Sequence, residues 1–542
     1  MRLSKIFIKV TTFFRNNPNS SVKDAAQELG VSSSTVSRNR AASSLINEED
    51  SAQVWSTETG YNWLISFVVI TIFFFGIQKG IGMESLSHFF KLLKIDHHFG
   101  VSPSSLRRLA DHLEMRAVSY ESLCQSQIEE QCIQKEIAVA ADETFFDRMI
   151  LVAMDLASGF ILLEIFSKDR TYPTWKEATS HFDKWKVKVR LMVSDQATAL
   201  LKLAKVGWEC SHVPDLFHAS REISKLMGLP FSRKISQAQK DLVKSQKKLK
   251  TDNKHFSHLA HAIGGGFIEE SQSKVKHCQE ELKKQIQGKD DYRQMLQEVS
   301  KIIQPFSDLD SSKQTSAQVE ARLKMITLQL EELRKQFEIN DSKNHLSKFK
   351  NQIKGLALSV DAWWNFVEQS LLNEHLEPTM LKWVLEVLLP TAFWNEQVSH
   401  CDQPLIKESY SQLLLQAQET LINHSLTKKL LQHELEYWSH WAVDSVNQFQ
   451  RASSAVEGRN GYLAQVYHNR RGLSQRRLHV LTIIHNFLLK RSDGTTAAQR
   501  LYSLDFPDFW EFITTDLPPL PLPRKRKNMR IPNHMKLLNI ST

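Results

Sequence analysis

Between residues 135 and 228 apolar runs alternate with amphipathic ones, and this alternation is the clearest organising signal in the chain. EIAVAADETFF (136–146), MILVAMDL (149–156), GFILLEIF (159–166) and VRLMVSD (189–195) are apolar runs of strand length. Ala157-Ser158-Gly159, between the second and third, is a hairpin signal. WECSHVPD is a short fifth strand. PTWKEATSHFDKW (173–185) is amphipathic and opens on a proline, QATALLKLAKVG is closed by Gly207, and LFHASREISKLMG is a third amphipathic run. Each of the three is predicted helical. The predicted order is strand, strand, strand, helix, strand, helix, strand, helix, which is an α/β unit.

From 231 to 450 the pattern turns helical and rich in Lys, Glu and Gln. Ile235, Leu242, Leu249, Phe256 and Ile263 recur at sevens, and Leu323, Ile326, Leu330, Leu333 and Phe337 step by threes and fours. This spacing predicts an antiparallel hairpin or coiled coil over 231–345, with Gly264-Gly265-Gly266 breaking or bending its first long helix. Trp363, Trp364, Trp383, Trp394, Trp438 and Trp441 follow on helical stretches and read as core of a helical domain rather than a ligand cage.

Upstream of the strands, residues 20–42 read as a helix-turn-helix. Ala25 and Ala26 are small, Gly30 sits at the turn, Val31 and Val36 supply core contacts, and the serine-capped second helix carries Arg38 and Arg40 toward DNA. Over 84–115, Phe89, Phe90 and Leu93 line one face, Gly100 breaks the chain, and Ser102-Pro103 starts a helix bearing Arg107 and Arg108. That segment is either a second DNA-contacting element or a packing partner of the helix before it. Trp63 to Ile77 is 15 nearly all apolar residues, short of the ~20 that a membrane span needs, so a buried core helix is expected.

Charge narrows the partners. A formal net charge of +9 and a pI near 9.1 favour polyanions. The tail holds Arg524, Lys525, Arg526, Lys527, Arg530 and Lys536 without an acid after 517, a phosphate-seeking segment or a solubilising one. Five scattered cysteines with no CxxC pair suit neither a zinc knuckle nor a disulfide framework and fit reduced thiols in a cytosol. The N-terminal apolar patch is broken by Lys5 and Lys9 and has no cleavage site after it, unlike a signal peptide.

Asp142 and Asp195 each end an apolar strand, where open sheets deliver functional groups. Carboxylates on neighbouring strand ends can share hard divalent cations, two of which activate an attacking oxygen and stabilise a leaving one. Rival acids are Glu143, expected on the opposite strand face, and Asp155, explicable as a turn residue. Asp215 and His218 lie just after the fifth strand, and there a supporting role at the site and a plain structural cap are both open. Further on, Glu457 is the one acid amid Arg451, Arg459, Arg470, Arg471, Arg476 and Arg477. Such surroundings suit a surface that grips phosphodiesters while one carboxylate holds metal. The alternative is a helix-start Glu behind the capping candidates Ser453 and Ser454.

The strand–helix order, with the Asp of AVAADET and the Asp of LMVSDQATAL, resembles the RNase H-like catalytic core of DDE transposases and retroviral integrases. In that family the first Asp lies on the first strand and the second on the fourth. The third carboxylate lies on a helix after the fifth strand, and several members insert a large domain before that helix. SSAVEGRNGYLAQVYHNRRGLSQRRL looks like the acidic helix and its flank. Over roughly 60–500 the chain is similar to bacterial insertion-sequence transposases that carry this VEGRNG motif. The Tyr-Arg-Glu-Lys signature of one large transposase family is absent around Glu457, which sets the chain apart from that branch.

The resemblance implies an RNase H-like α/β core with a mixed five-stranded sheet, interrupted by an all-α insertion and preceded by a helical DNA-binding region. The expected division is 1–45 helix-turn-helix, 46–134 second helical domain, 135–230 first part of the core, 231–450 insertion, 451–500 final catalytic helix and 501–542 basic tail. It further implies strand cleavage and transfer at the ends of an insertion sequence, with Asp142, Asp195 and Glu457 holding two Mg2+ (or Mn2+) ions. His218, Arg459, Asn460, Arg470, Arg471, Arg476 and Arg477 would join Arg38, Arg40, Arg107 and Arg108 on DNA. The expected partners are terminal inverted repeats, target DNA and further copies of the chain, without a membrane, in a bacterial cytoplasm at the nucleoid. A related nuclease without strand transfer, and a noncatalytic DNA-binding regulator, are the alternative readings.

Overall fold

The computed structural model describes residues 5–43, 52–55, 57–256, 261–372, 374–470 and 472–523. At its centre is a mixed sheet in the order β3-β2-β1-β4-β5, formed by β1 (Lys135–Phe145), β2 (Met149–Asp155), β3 (Ile161–Ser167), β4 (Val187–Ser194) and β5 (Ser211–Pro214). β1, β2 and β3 form an antiparallel meander, and β4 and β5 add in parallel on the other side of β1. The β2–β3 turn closes as the sequence predicts. Asp155 accepts from the Ser158 amide at 2.9 Å, and Gly159 takes φ +77°, a conformation that L side chains rarely adopt.

Segment 46–134 does not stand as a domain of its own. Leu64 and Phe73 of the apolar helix, and Leu113 and Tyr120 of the long helix Pro103–Gln131, share one core with Val139, Ile150, Val466 and Ile484. The apolar helix runs from Glu58 to Thr71 and continues as a π-helical turn to Gln78. It is therefore longer than its strongly apolar stretch, and by length and composition alone it could cross a membrane. One face is core (Leu64, Val68, Ile72, Phe73, Ile77), while Trp63, Ile70, Phe74 and Phe75 are 41–57% exposed on the other. Phe90 is buried, but Phe89 and Leu93 are exposed, so the three do not share a buried face. The predicted tail also divides. Phe509, Ile513 and Leu520 join the main core, and the six tail cations from Arg524 to Lys536 lie outside the described residues.

The N-terminal unit has three helices, Lys5–Asn16, Val22–Glu28 and Ser33–Ser43, around Val10, Phe13, Ala25 and Val36. Gly30 makes the turn at φ +64°, Ser21 and Asp24 close a capping box, and the Ser32 hydroxyl accepts from the Thr35 amide.

The insertion begins at Leu216, directly after β5, rather than at 231. The outgoing helix Leu216–Phe256 runs unbroken through that point with Pro230 inside it. The incoming helix His261–Ile302 returns antiparallel, with Lys289 beside Ser232 and Cys278 beside Ser245. Gly264, Gly265 and Gly266 lie inside this second helix and do not interrupt it. The hairpin is thus 216–302. Leu323, Leu330, Leu333 and Phe337 belong instead to a globular helical core with Trp363, Trp383 and Trp394. That core docks on the sheet where Gly355 meets Pro214 of β5, too close for a Cβ.

Candidate active site

The register of the parallel pair β1/β4 sets the site. Ala140 pairs with Val193, and Asp142 and Asp195 each lie two residues beyond that pair. Asp142 is in β1 and Asp195 directly follows the last residue of β4, so the two aspartates lie at the same end of the sheet, where the charge of Asp195 reaches Glu143. Asp195 is exposed, and its Oδ1 accepts from the Ala197 amide at 2.9 Å.

Across the antiparallel strands Asp142 faces Val152, and Val152 faces Glu164. That row carries a carboxylate at each end, and the return helix Ser454–Arg470 packs over β1 and β2. Two clasps hold the helix there. At its start Asp215 Oδ1 accepts from the Ser453 amide at 3.0 Å, and Asp215 Oδ2 accepts from the Ser453 hydroxyl. Two residues past Glu457, the Arg459 guanidinium grips Glu164 through Nε (2.8 Å) and Nη2 (2.6 Å), with the Thr482 hydroxyl donating to the same carboxylate at 2.7 Å. Glu457 lies between the clasps and within electrostatic reach of Asp142.

The result is a concentration of negative charge. Burial pushes the Asp142 carboxyl up to about 7; the charges of Glu457 and Glu143 add to the rise, against a backbone hydrogen bond and His218. Glu143 is also raised, by burial and then by Asp195, with Arg170 at 3.6 Å as partial compensation. Its Oε1 is buried without a hydrogen-bond partner. Asp215 donates nothing and accepts from four groups, including His218 Nδ1 at 2.6 Å. That bond raises the His218 pKa, and the charges of Asp142 and Asp195 raise it further. His212 goes the other way, driven down to about 4 by burial, with its Nε2 at 2.8 Å from the Ser194 hydroxyl.

Asp142, Asp195, Glu457 and His218 therefore lie toward one end of the sheet, with Glu457 and His218 within electrostatic reach of Asp142 and His218 also within reach of Asp195. Among the described residues, no three His, Cys, Asp or Glu side chains converge closely enough to hold a metal ion. The donor types suit a hard cation, and the unpartnered Glu143 oxygen with the raised Asp142 carboxyl marks charge that such an ion would offset.

Several predicted DNA contacts take other roles. Arg459 is committed to Glu164 in the interior, and Arg477 is buried against Glu114 and donates to the Gly76 carbonyl at 2.9 Å, so neither guanidinium can meet a phosphate. Arg476 pairs with Asp111 and Glu114 at 3.1 Å each, and Arg107 pairs with Glu84. Asn460 stays near the site with its Oδ1 buried and unbonded. Arg38, Arg40 and Arg108 are exposed, Arg40 stacking over Phe14. Arg471 and the side chain of Arg470 lie outside the described residues. Sequence reasoning missed Glu164, although a glutamate inside the apolar run GFILLEIF was a signal that a buried cation awaited it.

Residues 384–529, which include Ser453, Glu457 and Arg459, match a family of unknown function (DUF6399). No curated protein and no solved structure matches the chain.

Proposed function

We propose that this protein is a DNA transposase with an RNase H-like core, in which Asp142, Asp195 and Glu457 form a metal-dependent phosphoryl-transfer site. The observation that carries the proposal is the parallel register of β1 and β4, which brings Asp142 and Asp195 to the same end of the sheet, with Glu457 of a distant helix within electrostatic reach of Asp142. A noncatalytic regulator has no need of that arrangement. The strand order β3-β2-β1-β4-β5, with an all-α insertion between β5 and the acidic helix, supports the same reading.

Asp142, Asp195 and Glu457 would hold Mg2+ or Mn2+, and the cations would supply Lewis-acid stabilisation of the attacking and leaving oxygens. The chain's own groups do the rest. Asp215 fixes the His218 ring through Nδ1 and favours its protonated form near the aspartates, where Nε2 would face a phosphate or give up a proton. Ser453 and Arg459 hold the helix so that Glu457 stays within electrostatic reach of Asp142.

The test uses a supercoiled plasmid carrying the gene with its flanking DNA. Purified protein with magnesium should break strands at the element boundaries and join the released 3′ ends to a second duplex. Breaks without joining would assign the related nuclease instead. No breaks, from folded protein that binds the same DNA, would reject the reading.

A further inference from the structure

The outgoing helix Leu216–Phe256 starts at the candidate site, with His218 in its first turn, and leaves the body as one side of the hairpin. Charge is unequal between the two sides. Residues 232–256 hold eight Lys or Arg against two Asp, while residues 261–290 hold five Lys against five Asp or Glu. Arg233, Lys240, Lys247 and Lys254 recur at sevens, and Lys244 falls between them. At 3.6 residues per turn these five lie on one stripe. Ala238 and Ser245, which are buried at the hairpin's seam, fall on the opposite side, so Arg233, Lys240, Lys247 and Lys254 point away from the seam and Lys244 flanks the inter-helix groove at its edge. All five side chains are on exposed residues.

A solvated helix ordinarily balances such cations with acids one turn away. Elsewhere in the same insertion it does, as in Lys324–Glu320 at 2.6 Å and Lys382–Glu386 at 3.8 Å. Along the stripe none of the five makes an ion pair among the described residues. The stripe spans roughly 32 Å, close to one turn of B-form DNA. It begins roughly 22 Å along the helix from His218.

From this geometry we infer that Arg233, Lys240, Lys244, Lys247 and Lys254 form a phosphate-binding edge that lies along duplex DNA outside the cleavage site. The choice of DNA as the polyanion rests on the function proposed above; the edge itself rests on the charge asymmetry. It contacts backbone and so adds affinity without sequence preference.

The test compares two variants of equal net charge in the full chain. One replaces the five stripe residues with Gln. The other replaces Lys274, Lys276, Lys283, Lys284 and Lys289 of the incoming helix with Gln. Binding to a generic duplex of about 40 bp is measured across salt concentrations, with melting curves to verify folding. The stripe variant should bind at least ~10-fold more weakly at low salt, and its log–log salt slope should be shallower by about four. The incoming-helix variant should stay within about twofold of the parent. Equal losses in both variants, no loss in the stripe variant, or a loss confined to duplex RNA would each overturn the inference. Magnesium-dependent cleavage of the element-bearing plasmid by the parent protein, measured alongside, separates failure of the edge from failure of the active-site reading.

Discussion

Arg459 carries its charge in the interior because Glu164 is there to receive it, and the pair fixes where Glu457 sits. Removing one partner of a buried ion pair leaves the other desolvated and uncompensated, at a cost of about 3–5 kcal/mol. Arg459→Met should destabilise the protein by that amount, measured by chemical denaturation, and Arg459→Met with Glu164→Leu should recover most of it. A loss under ~1 kcal/mol for the single change would contradict the clasp. Asp142 gives the opposite sign. Its folded pKa, about 7, lies above the ordinary 3.8, so the unfolded chain ionises first as pH rises. Stability present below pH ~4 is therefore lost progressively up to pH ~7. In metal-free buffer Asp142→Asn should match the parent near pH 4 and exceed it at pH 8, by on the order of 2 kcal/mol after discounting for partial exposure. A pH-independent difference would count against the charged cluster.

Among the elements, the apolar helix tests how far composition can be read as burial. Its inner face contributes Phe73 to the core, fully buried against Phe509 and Trp510, whereas Trp63 and Phe74 face outward. Phe73→Ala should cost about 3–5 kcal/mol. Trp63→Ser with Phe74→Ser should cost less, about 1–2 kcal/mol, since both rings are partly exposed and what is lost is the stacking of Trp63 on Trp55 and Phe67 and the edge contact of Phe74 with Phe75. Similar losses from both would mean that the outer face is covered when the protein is assembled. The strands and most helices were legible because their periodicity is local. The sequence read 173–185 as one helix, but it splits into Tyr172–Ala178 and a 3-10 turn at Phe182–Trp185, since both Trp175 and Trp185 must reach the core. The split depends on a core position that no local pattern encodes. The roles of Arg459 and Arg477 were hidden for a related reason. Glu164 lies 295 residues before Arg459, and a cluster of arginines looks the same in sequence whether its charges meet phosphate or buried carboxylate.

At the scale of the whole molecule, two large hydrophobic cores and a small N-terminal one account for the body, and the hairpin arm stands outside all three. The insertion core includes Phe231 and resumes at Tyr292, and among the described residues between them only the small Ala238 is a buried apolar side chain, outside that core. Replacing residues 239–282 with a short Gly/Ser linker should therefore leave the melting temperature within a few degrees of the parent. A cooperative loss of folding would show that the arm is structural. The positions of Asp142 and Asp195 at strand ends were visible in the sequence. That both come to the same end of the sheet was not, because register is set by contacts between β1 and β4 across the intervening meander and helix. Glu457 was visible only as an isolated acid, and it took the Ser453 and Arg459 clasps to place it. Whether these carboxylates ligate metal is tested most directly by changing the metal that the site prefers. Asp142→Cys and Asp195→Cys should each abolish magnesium-dependent strand cleavage of the element-bearing plasmid. Both should regain it in manganese, since thiolate is a poor ligand for the hard cation and a better one for the softer. Loss in both metals from folded, DNA-binding protein, or full activity in magnesium, would contradict the account.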